Sequence, residues 1–259
     1  MPAVAERALK PHEIAPDADS ALKPGQRLQW RECLTMLEYA ATRLSGDLVD
    51  HWPRGDGHPV VVLPGFLAGP LSTSLLRDVL SRLGYRPYDW GLGWNLGYRP
   101  NMVGGLAARV EEIQRRSDGQ KVSLIGWSAG GIYAREVARE VPEQVRTVIS
   151  LGSPFRGNHR ATHATLLWDL LNRHPDAAEI MSDAARIGRA APLTVPTTCI
   201  YSKHDGVVAW ECCTSLPAPR TENIEVRSTH FGYGHNLETL HVIADRLAQR
   251  EGKWRPYQT

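Results

Sequence analysis

A serine set between two glycines is the feature of this chain that most directly suggests chemistry. Residues 126–130 read Gly-Trp-Ser-Ala-Gly, which fits the pattern G-x-S-x-G. In that pattern a strand turns sharply into a helix and holds the serine at the apex, in a strained backbone conformation. Gly126 and Gly130 suit the turn because a side chain at either position would collide with neighbouring backbone. Ser128 is therefore a candidate nucleophile.

The residues on either side of this motif supply the context that it needs. Residues 121–125 (Lys-Val-Ser-Leu-Ile) form a short apolar run that is typical of a strand. Downstream, Ile132, Ala134 and Val137 have helical spacing, and Pro142 closes the segment. In a chain with 23 glycines the motif also arises as an ordinary turn, but the flanking strand and helix favour the nucleophile.

A serine hydroxyl is a poor nucleophile at neutral pH, so it needs a base and an acid that orients the base. In this arrangement the acid and then the histidine follow the serine along the chain, each beyond the end of a strand. Asp205 follows the apolar run 197–201, and His230 follows the run 223–227. We predict that His230 takes the proton of Ser128 and that Asp205 orients His230.

Both assignments have competitors. His235 is a second candidate for the base, although it could instead line the site or cap the final helix. Glu211 and Asp183 compete with Asp205, but neither directly follows a predicted strand. Asp205 could also serve only as a cap for the short segment that follows it.

Attack on a carbonyl creates an oxyanion, which needs two N–H groups aimed at it. The amide of Ala129 is one candidate, because it lies at the N-terminus of the predicted helix, where partial positive charge also helps. The second should come from the loop 63–69, where Gly65 allows close backbone approach and the amide of Phe66 is the expected donor. A plain turn between strand and helix is the alternative for this loop.

The elements that must position these residues alternate along the chain. The predicted strands cover residues 59–63, 86–90, 121–125, 145–151, 197–201 and 223–227. The predicted helices cover residues 27–44, 71–83, 102–117, the segment after Ser128, and 237–249. This alternation predicts an α/β fold with a mostly parallel sheet of about six strands and helices on both faces. In such folds ligands bind beyond the carboxyl ends of the strands.

Two segments depart from this alternation. We predict that residues 1–58 form an N-terminal arm and a helix that packs on the core, and that residues 59–259 form the catalytic domain. Residues 155–192 interrupt the rhythm with apolar residues at helical spacing. They favour a helical insertion that covers the site, and an ordinary crossover connection is the alternative.

Composition excludes several other classes of protein. With 42% hydrophobic residues, 22% charged residues and a formal net charge of +2, the chain is typical of a globular protein and shows no basic stripe for nucleic acid. No apolar run approaches the roughly 20 residues that span a membrane, and the N-terminus lacks the apolar core of a signal peptide. The histidines lack metal-site spacing, and no cofactor is expected. Four cysteines without metal-ligand spacing favour reduced thiols in a cytoplasmic protein.

Taken together, these pieces resemble the α/β-hydrolase superfamily, in its smaller esterase and lipase branch. The matching segments are residues 64–66 (Pro-Gly-Phe), 126–130, 205–208 (Asp-Gly-Val-Val) and 230–232 (His-Phe-Gly). The resemblance implies Ser128 as nucleophile, His230 as base and Asp205 as orienting acid, with Phe66 and Ala129 as oxyanion donors. Pro64 is a departure, because many members carry histidine there and its orienting hydrogen bond is absent.

The resemblance also implies a reaction. A serine hydrolase of this kind cleaves a carboxylic ester in two steps through an acyl-enzyme. Leu67, Trp127, Phe155 and Phe231 lie on loops at strand ends and are candidate substrate-binding residues, which favours a small-molecule ester with a hydrophobic or aromatic acyl group. The same residues could act on a thioester or transfer the acyl group to another acceptor. A non-catalytic binding protein with this fold is a further alternative.

Overall fold

The computed structural model describes residues 17–97, 99–157, 161–163 and 188–258. Within them lies one parallel sheet in the order β2-β1-β3-β4-β5-β6. Its strands are β1 (Pro59–Leu63), β2 (Arg86–Asp89), β3 (Val122–Trp127), β4 (Val145–Leu151), β5 (Thr197–Tyr201) and β6 (Thr221–Glu225). The predicted six-stranded parallel sheet is confirmed.

Helices cover both faces of this sheet. They are α1 (Gln26–Arg31), α2 (Thr35–Leu44), α3 (Gly46–Val49), α4 (Ser74–Arg82), α5 (Met102–Arg115), α6 (Ala129–Glu140) and α7 (Leu237–Leu247). In the described part of the chain, short 3₁₀ turns lie at Glu32–Leu34, Pro70–Thr73 and Trp210–Cys213. Three of the helices connect successive parallel strands: α4 links β1 to β2, α5 links β2 to β3, and α6 links β3 to β4.

Two apolar clusters, one on each face of the sheet, form the core. Along β1 the side chains alternate between them: Val60 and Val62 face the cluster made with α4 and α7, whereas Val61 and Leu63 face the cluster made with α5 and α6. All five residues of β1 are buried. An uninterrupted apolar run is expected of a parallel strand that is covered on both faces.

Several predicted elements differ from the structure in their bounds, and for two of them the structural reason is clear. The strand predicted at 223–227 lies at Thr221–Glu225, in register with β5 from Thr197 onward. The predicted end of the strand was too late because Val226, which follows β6, is also buried. Its N–H donates to the carbonyl of Tyr201, although Val226 lies beyond the paired residues of β5 and β6. The single helix predicted at 27–44 is broken by the 3₁₀ turn at Glu32–Leu34.

Part of the sequence prediction lies outside the described residues. The predicted insertion 155–192 includes residues 158–160 and 164–187, and the predicted arm includes residues 1–16, none of which the structure describes. The insertion and the boundary between 58 and 59 stay predictions, and so does the cytoplasmic location. In the described part of the chain no helix is both long and apolar enough to cross a bilayer. All four cysteines are free thiols.

Candidate active site

Ser128 lies at the sharp turn between β3, which ends at Trp127, and α6, which begins at Ala129. Its backbone has φ 53° and ψ −123°, a conformation that residues with a side chain rarely adopt. The Ser128 N–H donates to the carbonyl of Leu151 at 2.8 Å, so the turn is tied to the end of β4. The strain is therefore held in place by the sheet.

The two glycines of the motif are required by close backbone contacts. A Cβ at Gly126 would lie 2.4 Å from the carbonyl oxygen of Gly130, and a Cβ at Gly130 would lie 2.4 Å from the carbonyl oxygen of Leu63. Neither contact is possible for real atoms, and the obstacles are backbone. The start of α6 can therefore pack against the end of β3 only with glycine at 126, and against the end of β1 only with glycine at 130.

The structure brings the three predicted residues together in one hydrogen-bonded chain. His230 Nε2 lies 3.1 Å from Ser128 Oγ, and His230 Nδ1 lies 2.7 Å from Asp205 Oδ2. His230 and Asp205 are 3% and 2% exposed. With its hydrogen on Nδ1, the imidazole donates to Asp205 and can accept the hydroxyl proton of Ser128.

Asp205 has a different role for each of its carboxylate oxygens. Oδ1 accepts hydrogen bonds from the N–H groups of Val207 and Val208, both at 2.8 Å, whereas Oδ2 faces His230. The capping role and the pairing with histidine, which are alternatives at the level of sequence, therefore coexist. The two backbone bonds fix the orientation of the carboxylate toward the imidazole.

The surroundings of His230 make its imidazole more basic. Burial by itself would lower the pKa of His230, but the charge of Asp205, its hydrogen bond and the charge of Glu32 outweigh burial and raise the pKa. A stronger base suits a group that must accept a proton from a hydroxyl.

The competing candidates lie elsewhere or make other contacts. His235 Nε2 lies 3.2 Å from the carbonyl oxygen of Thr35, and the cap of α7 is Asn236, whose side chain accepts from the Thr239 N–H. Glu211 lies in the 3₁₀ turn Trp210–Cys213. The remaining competitor, residue 183, lies outside the described residues.

The loop after β1 passes directly beside Ser128. A Cβ at Gly65 would lie 3.2 Å from the Cβ of Ser128, and both Gly65 and Phe66 line the cavity above the serine. Ala129 is the first residue of α6 on the other side. The two predicted oxyanion donors therefore belong to backbone segments that flank Ser128.

Asn95 holds this loop in place, and sequence reasoning missed it. Its side-chain Nδ2 donates to the carbonyl of Pro64 at 2.9 Å. Its backbone carbonyl accepts from the Leu67 N–H at 2.7 Å, and its backbone N–H donates to the carbonyl of Ala68. Asn95 is fully buried. It supplies an orienting hydrogen bond in a loop where Pro64 stands in place of the usual histidine. No local pattern marks it, because it lies in an irregular segment between β2 and α5.

A cavity of about 630 Å³ opens above Ser128. Three of the four predicted substrate-binding residues, Leu67, Trp127 and Phe231, line it. The described lining residues include no Asp, Glu, Lys or Arg. The residues that sequence reasoning did not select are Ala68, Gly69, Pro70, Leu71, Ser72, Trp94, His163 and Val207.

Phe155 is a correction to the predicted binding residues. It does not line the cavity but is 1% exposed, and its ring packs 3.9 Å from the guanidinium carbon of Arg135. Phe155 follows the end of β4, so its backbone lies at the predicted edge of the sheet. Its side chain nevertheless points into the core and not into the cavity. Arg135 lies on α6, and the aromatic ring shields this buried cation.

Comparisons with known proteins match parts of this chain. A family model described as Lecithin:cholesterol acyltransferase matches residues 81–174, which include Ser128 but neither Asp205 nor His230. A triacylglycerol lipase of Pseudarthrobacter phenanthrenivorans is 36% identical over 70 residues, which cover 27% of this chain and 21% of that lipase. The chain thus matches about a fifth of the length of this relative.

Two solved structures share most of the fold. The mature form of Bacillus licheniformis lipase BlEst2 has a TM-score of 0.58 and 18% identity, covering 76% of this chain and 94% of that chain. Aspergillus fumigatus lipase B has a TM-score of 0.53 and 18% identity, covering 78% of this chain and 56% of that chain. The chain therefore has the fold of the α/β hydrolases, as the resemblance in sequence predicted. Fold does not define the reaction, so the activity is argued from the site.

Proposed function

We propose that this protein is a serine hydrolase that cleaves carboxylic esters with hydrophobic or aromatic acyl groups. The observation that carries the proposal is the hydrogen-bonded chain from Ser128 through His230 to Asp205, which opens on an apolar cavity. Ser128 is the proposed nucleophile, His230 the base and Asp205 the acid that orients it.

In the proposed mechanism, Ser128 Oγ attacks the ester carbonyl carbon while His230 Nε2 takes its proton. The tetrahedral intermediate collapses, His230 returns the proton to the leaving oxygen, and an alcohol departs. Water then attacks the acyl-enzyme in the same way and releases the acid, which restores Ser128. Asp205 stabilises the imidazolium that forms in both steps.

The proposed oxyanion donors are the backbone N–H groups of Phe66 and Ala129. Their support is the position of the loop 64–66 and of the N-terminus of α6 on either side of Ser128. Donors fixed by the backbone need no reorganisation when the negative charge develops.

The lining of the cavity supports an uncharged, hydrophobic acyl group. Trp127 and Phe231 meet edge to face, with ring centroids 6.1 Å apart, and Leu67 completes the apolar wall. A charged acyl chain would have no ionic partner among the described lining residues. That the matched relatives are named lipases also supports an ester as the small-molecule substrate.

The test is hydrolysis of p-nitrophenyl esters from acetate to palmitate. We expect Ser128→Ala to lose at least about 1,000-fold in kcat, because the nucleophile is absent. Ser123→Ala is the matched control: this serine also bonds to a histidine but is buried at the start of β3, so it should retain activity. The acyl length with the highest rate reports the reach of the cavity. Ester hydrolysis that persists in Ser128→Ala, or none by the wild type, contradicts the proposal.

Acyl transfer is the second candidate, because the matching family model is described as an acyltransferase and its segment includes Ser128. The two reactions share the acyl-enzyme and differ in whether water or another nucleophile accepts the acyl group. Adding a long-chain alcohol or a thiol and measuring the new ester or thioester against free acid separates them. Excess transfer at low acceptor concentration would favour the acyltransferase. Failure of Ser128 to react with a fluorophosphonate would instead favour a binding protein without catalysis.

A further inference from the structure

One carboxylate of the N-terminal segment, that of Glu32, contacts both the loop that carries Asp205 and the loop that carries His230. Glu32 lies in the 3₁₀ turn between α1 and α2, more than 170 residues before either loop. Its Oε1 accepts from the N–H of Gly206 at 2.8 Å and from the N–H of His230 at 2.9 Å. Its Oε2 accepts from the N–H of Phe231 at 3.1 Å. One side chain therefore joins the residue after the acid to the base itself.

These bonds act on the backbone of His230 from one side while a second residue holds it from the other. The indole Nε1–H of Trp127 donates to the His230 carbonyl at 2.9 Å, and Glu32 accepts from its N–H. Trp127 directly precedes Ser128. The backbone of the base is thus fixed relative to the acid loop and relative to the serine turn. Hydrogen bonds to a charged carboxylate are about twice as strong as neutral ones.

The N-terminal segment is packed too closely on the acid loop to be an incidental neighbour. A Cβ at Gly206 would lie 2.3 Å from the carbonyl oxygen of Leu28 in α1. In α2, Glu38 accepts from the N–H and the hydroxyl of Thr229 and from the side chain of Asn236. The segment therefore contacts both loops over several residues, and Glu32 is the contact that spans them.

Glu32 also adds charge near the imidazole. Among the described residues, the charged groups that face His230 are Asp205, on the loop after β5, and Glu32, and both raise the pKa of His230 against the effect of burial. The phenol of Tyr233 also packs against the imidazole, and burial holds its pKa well above the usual range, so it stays neutral. Removing the Glu32 charge should lower the pKa of the base.

We propose that Glu32 is a positioning residue for the reaction, which fixes the Asp205 and His230 loops relative to each other and to Ser128. The inference rests on the proposed function, since it assigns Glu32 a part in the same site. It requires that the N-terminal segment acts in the reaction and does not only cover the core.

The experiment compares Glu32→Gln and Glu32→Ala with the wild type. The readouts are kcat and KM for p-nitrophenyl butyrate, and the rate of Ser128 labelling by a fluorophosphonate as a function of pH. Glu32→Ala removes all three bonds, and we expect kcat to fall about 10- to 100-fold with KM within about threefold, since small displacements of reacting groups cost rates of this size. Glu32→Gln keeps the volume and should lose less in kcat. In both variants the pH at which labelling reaches half its maximum should move down.

Glu238→Gln is the matched control. The Glu238 carboxylate also accepts a hydrogen bond from a backbone N–H, that of Arg227, but it bonds to neither Gly206 nor His230. It should leave labelling within about twofold and its pH dependence unchanged. If Glu32→Ala does not fold, Glu32→Gln decides. Labelling rates within twofold of wild type with an unmoved pH dependence would overturn the role of Glu32, as would losses that match those of the control.

The proposed function and the role of Glu32 can fail separately. A wild type that is labelled at Ser128 but hydrolyses no ester contradicts the substrate, while labelling of the variants still tests Glu32. Titration of the His230 imidazole by NMR, assigned with His230→Gln, gives the pKa without any reaction. An identical pKa in wild type and Glu32→Gln would also overturn the inference.

Discussion

His58 Nε2 lies 2.8 Å from Ser123 Oγ, closer than His230 Nε2 lies to Ser128 Oγ at 3.1 Å. The likeness extends to an acid, because Asp56 Oδ1 lies 2.5 Å from His58 Nδ1. The described part of the protein therefore contains two hydrogen-bonded sets of serine, histidine and aspartate side chains, the His58 set and the His230 set.

The two sets lie at opposite ends of β3. Ser123 lies at the start of β3, and both it and His58 are fully buried. Ser128 lies beyond the carboxyl end of the same strand and lines the cavity. Ligands of parallel sheets bind at the carboxyl ends of the strands. We therefore infer that the His58 set contributes to stability and that the His230 set takes part in the proposed reaction.

His58 should make stability depend on pH. Burial lowers the pKa of His58, although its hydrogen bond with Asp56 opposes the shift. The unfolded chain therefore binds the proton first, so the stability due to His58 is present at neutral pH and is lost as the pH falls below the ordinary histidine value of about 6.5. We expect His58→Gln to be less stable by about 1–3 kcal/mol at pH 7.5, and the difference should shrink by pH 5.

Chemical denaturation at several pH values measures this difference. Asp56 does not titrate between pH 5 and pH 7.5. The hydrogen bonds from His58 and Arg146 outweigh burial and lower the pKa of Asp56 to about 2. The exposed His51, which contacts the carbonyl of Asp47, gives the control His51→Gln, which should follow the wild-type curve. A difference that stays constant from pH 7.5 to pH 5 would contradict the assignment.

The backbone strain at Ser128 should be measurable as stability. Glycine adopts φ 53° and ψ −123° readily, whereas alanine does not. Strain of this kind costs about 1–3 kcal/mol, so after the entropic cost of glycine we expect Ser128→Gly to be about 1 kcal/mol more stable than Ser128→Ala. Thermal unfolding of the two inactive variants makes the comparison. Greater stability of the alanine variant would mean that the turn is not strained.

Asn95 should matter for both stability and rate. Asn95→Ala leaves the buried carbonyl of Pro64 without its side-chain donor, which costs about 1–3 kcal/mol. Because Pro64 lies in the same loop as Phe66, the proposed oxyanion donor, kcat for ester hydrolysis should fall about 10-fold or more. Asn223→Ala is the control, since Asn223 also bonds to two backbone groups, those of Ser215, away from the cavity. It should lose stability and keep kcat; equal losses of kcat in both would contradict the prediction.

Two helical glycines should respond in opposite ways to the same substitution. A Cβ at Gly130 would meet the backbone of Leu63 and Pro64 at 2.4 and 2.7 Å, so we expect Gly130→Ala to cost about 3 kcal/mol or more. Gly104 in α5 has open space around that position, and Gly104→Ala should stabilise by about 0.5–1 kcal/mol. Urea denaturation measures both. A neutral Gly130→Ala would mean that α6 can move away from β1.

Most of the fold could be predicted because its elements carry local patterns. The apolar run of β1 is continuous since both faces of this strand are covered. The edge strand β6 has a single buried residue, Ile224, so its bounds were predicted two residues too late. The positions of Ser128, Asp205 and His230 beyond strand ends were predicted from the G-x-S-x-G pattern, the order along the chain and the parallel topology.

The supporting contacts could not be predicted in this way. Asn95 bonds to Pro64 across 31 residues, and Glu32 bonds to His230 across 198. The side chain of Phe155 turned into the core although its backbone lies at a strand end. Local patterns specify the elements and the types of the candidate catalytic residues, because periodicity and glycine turns are local properties. Which side chains hold the loops of Asp205 and His230 follows from the packing of distant segments, because that packing fixes which backbone N–H and C=O groups lie within reach.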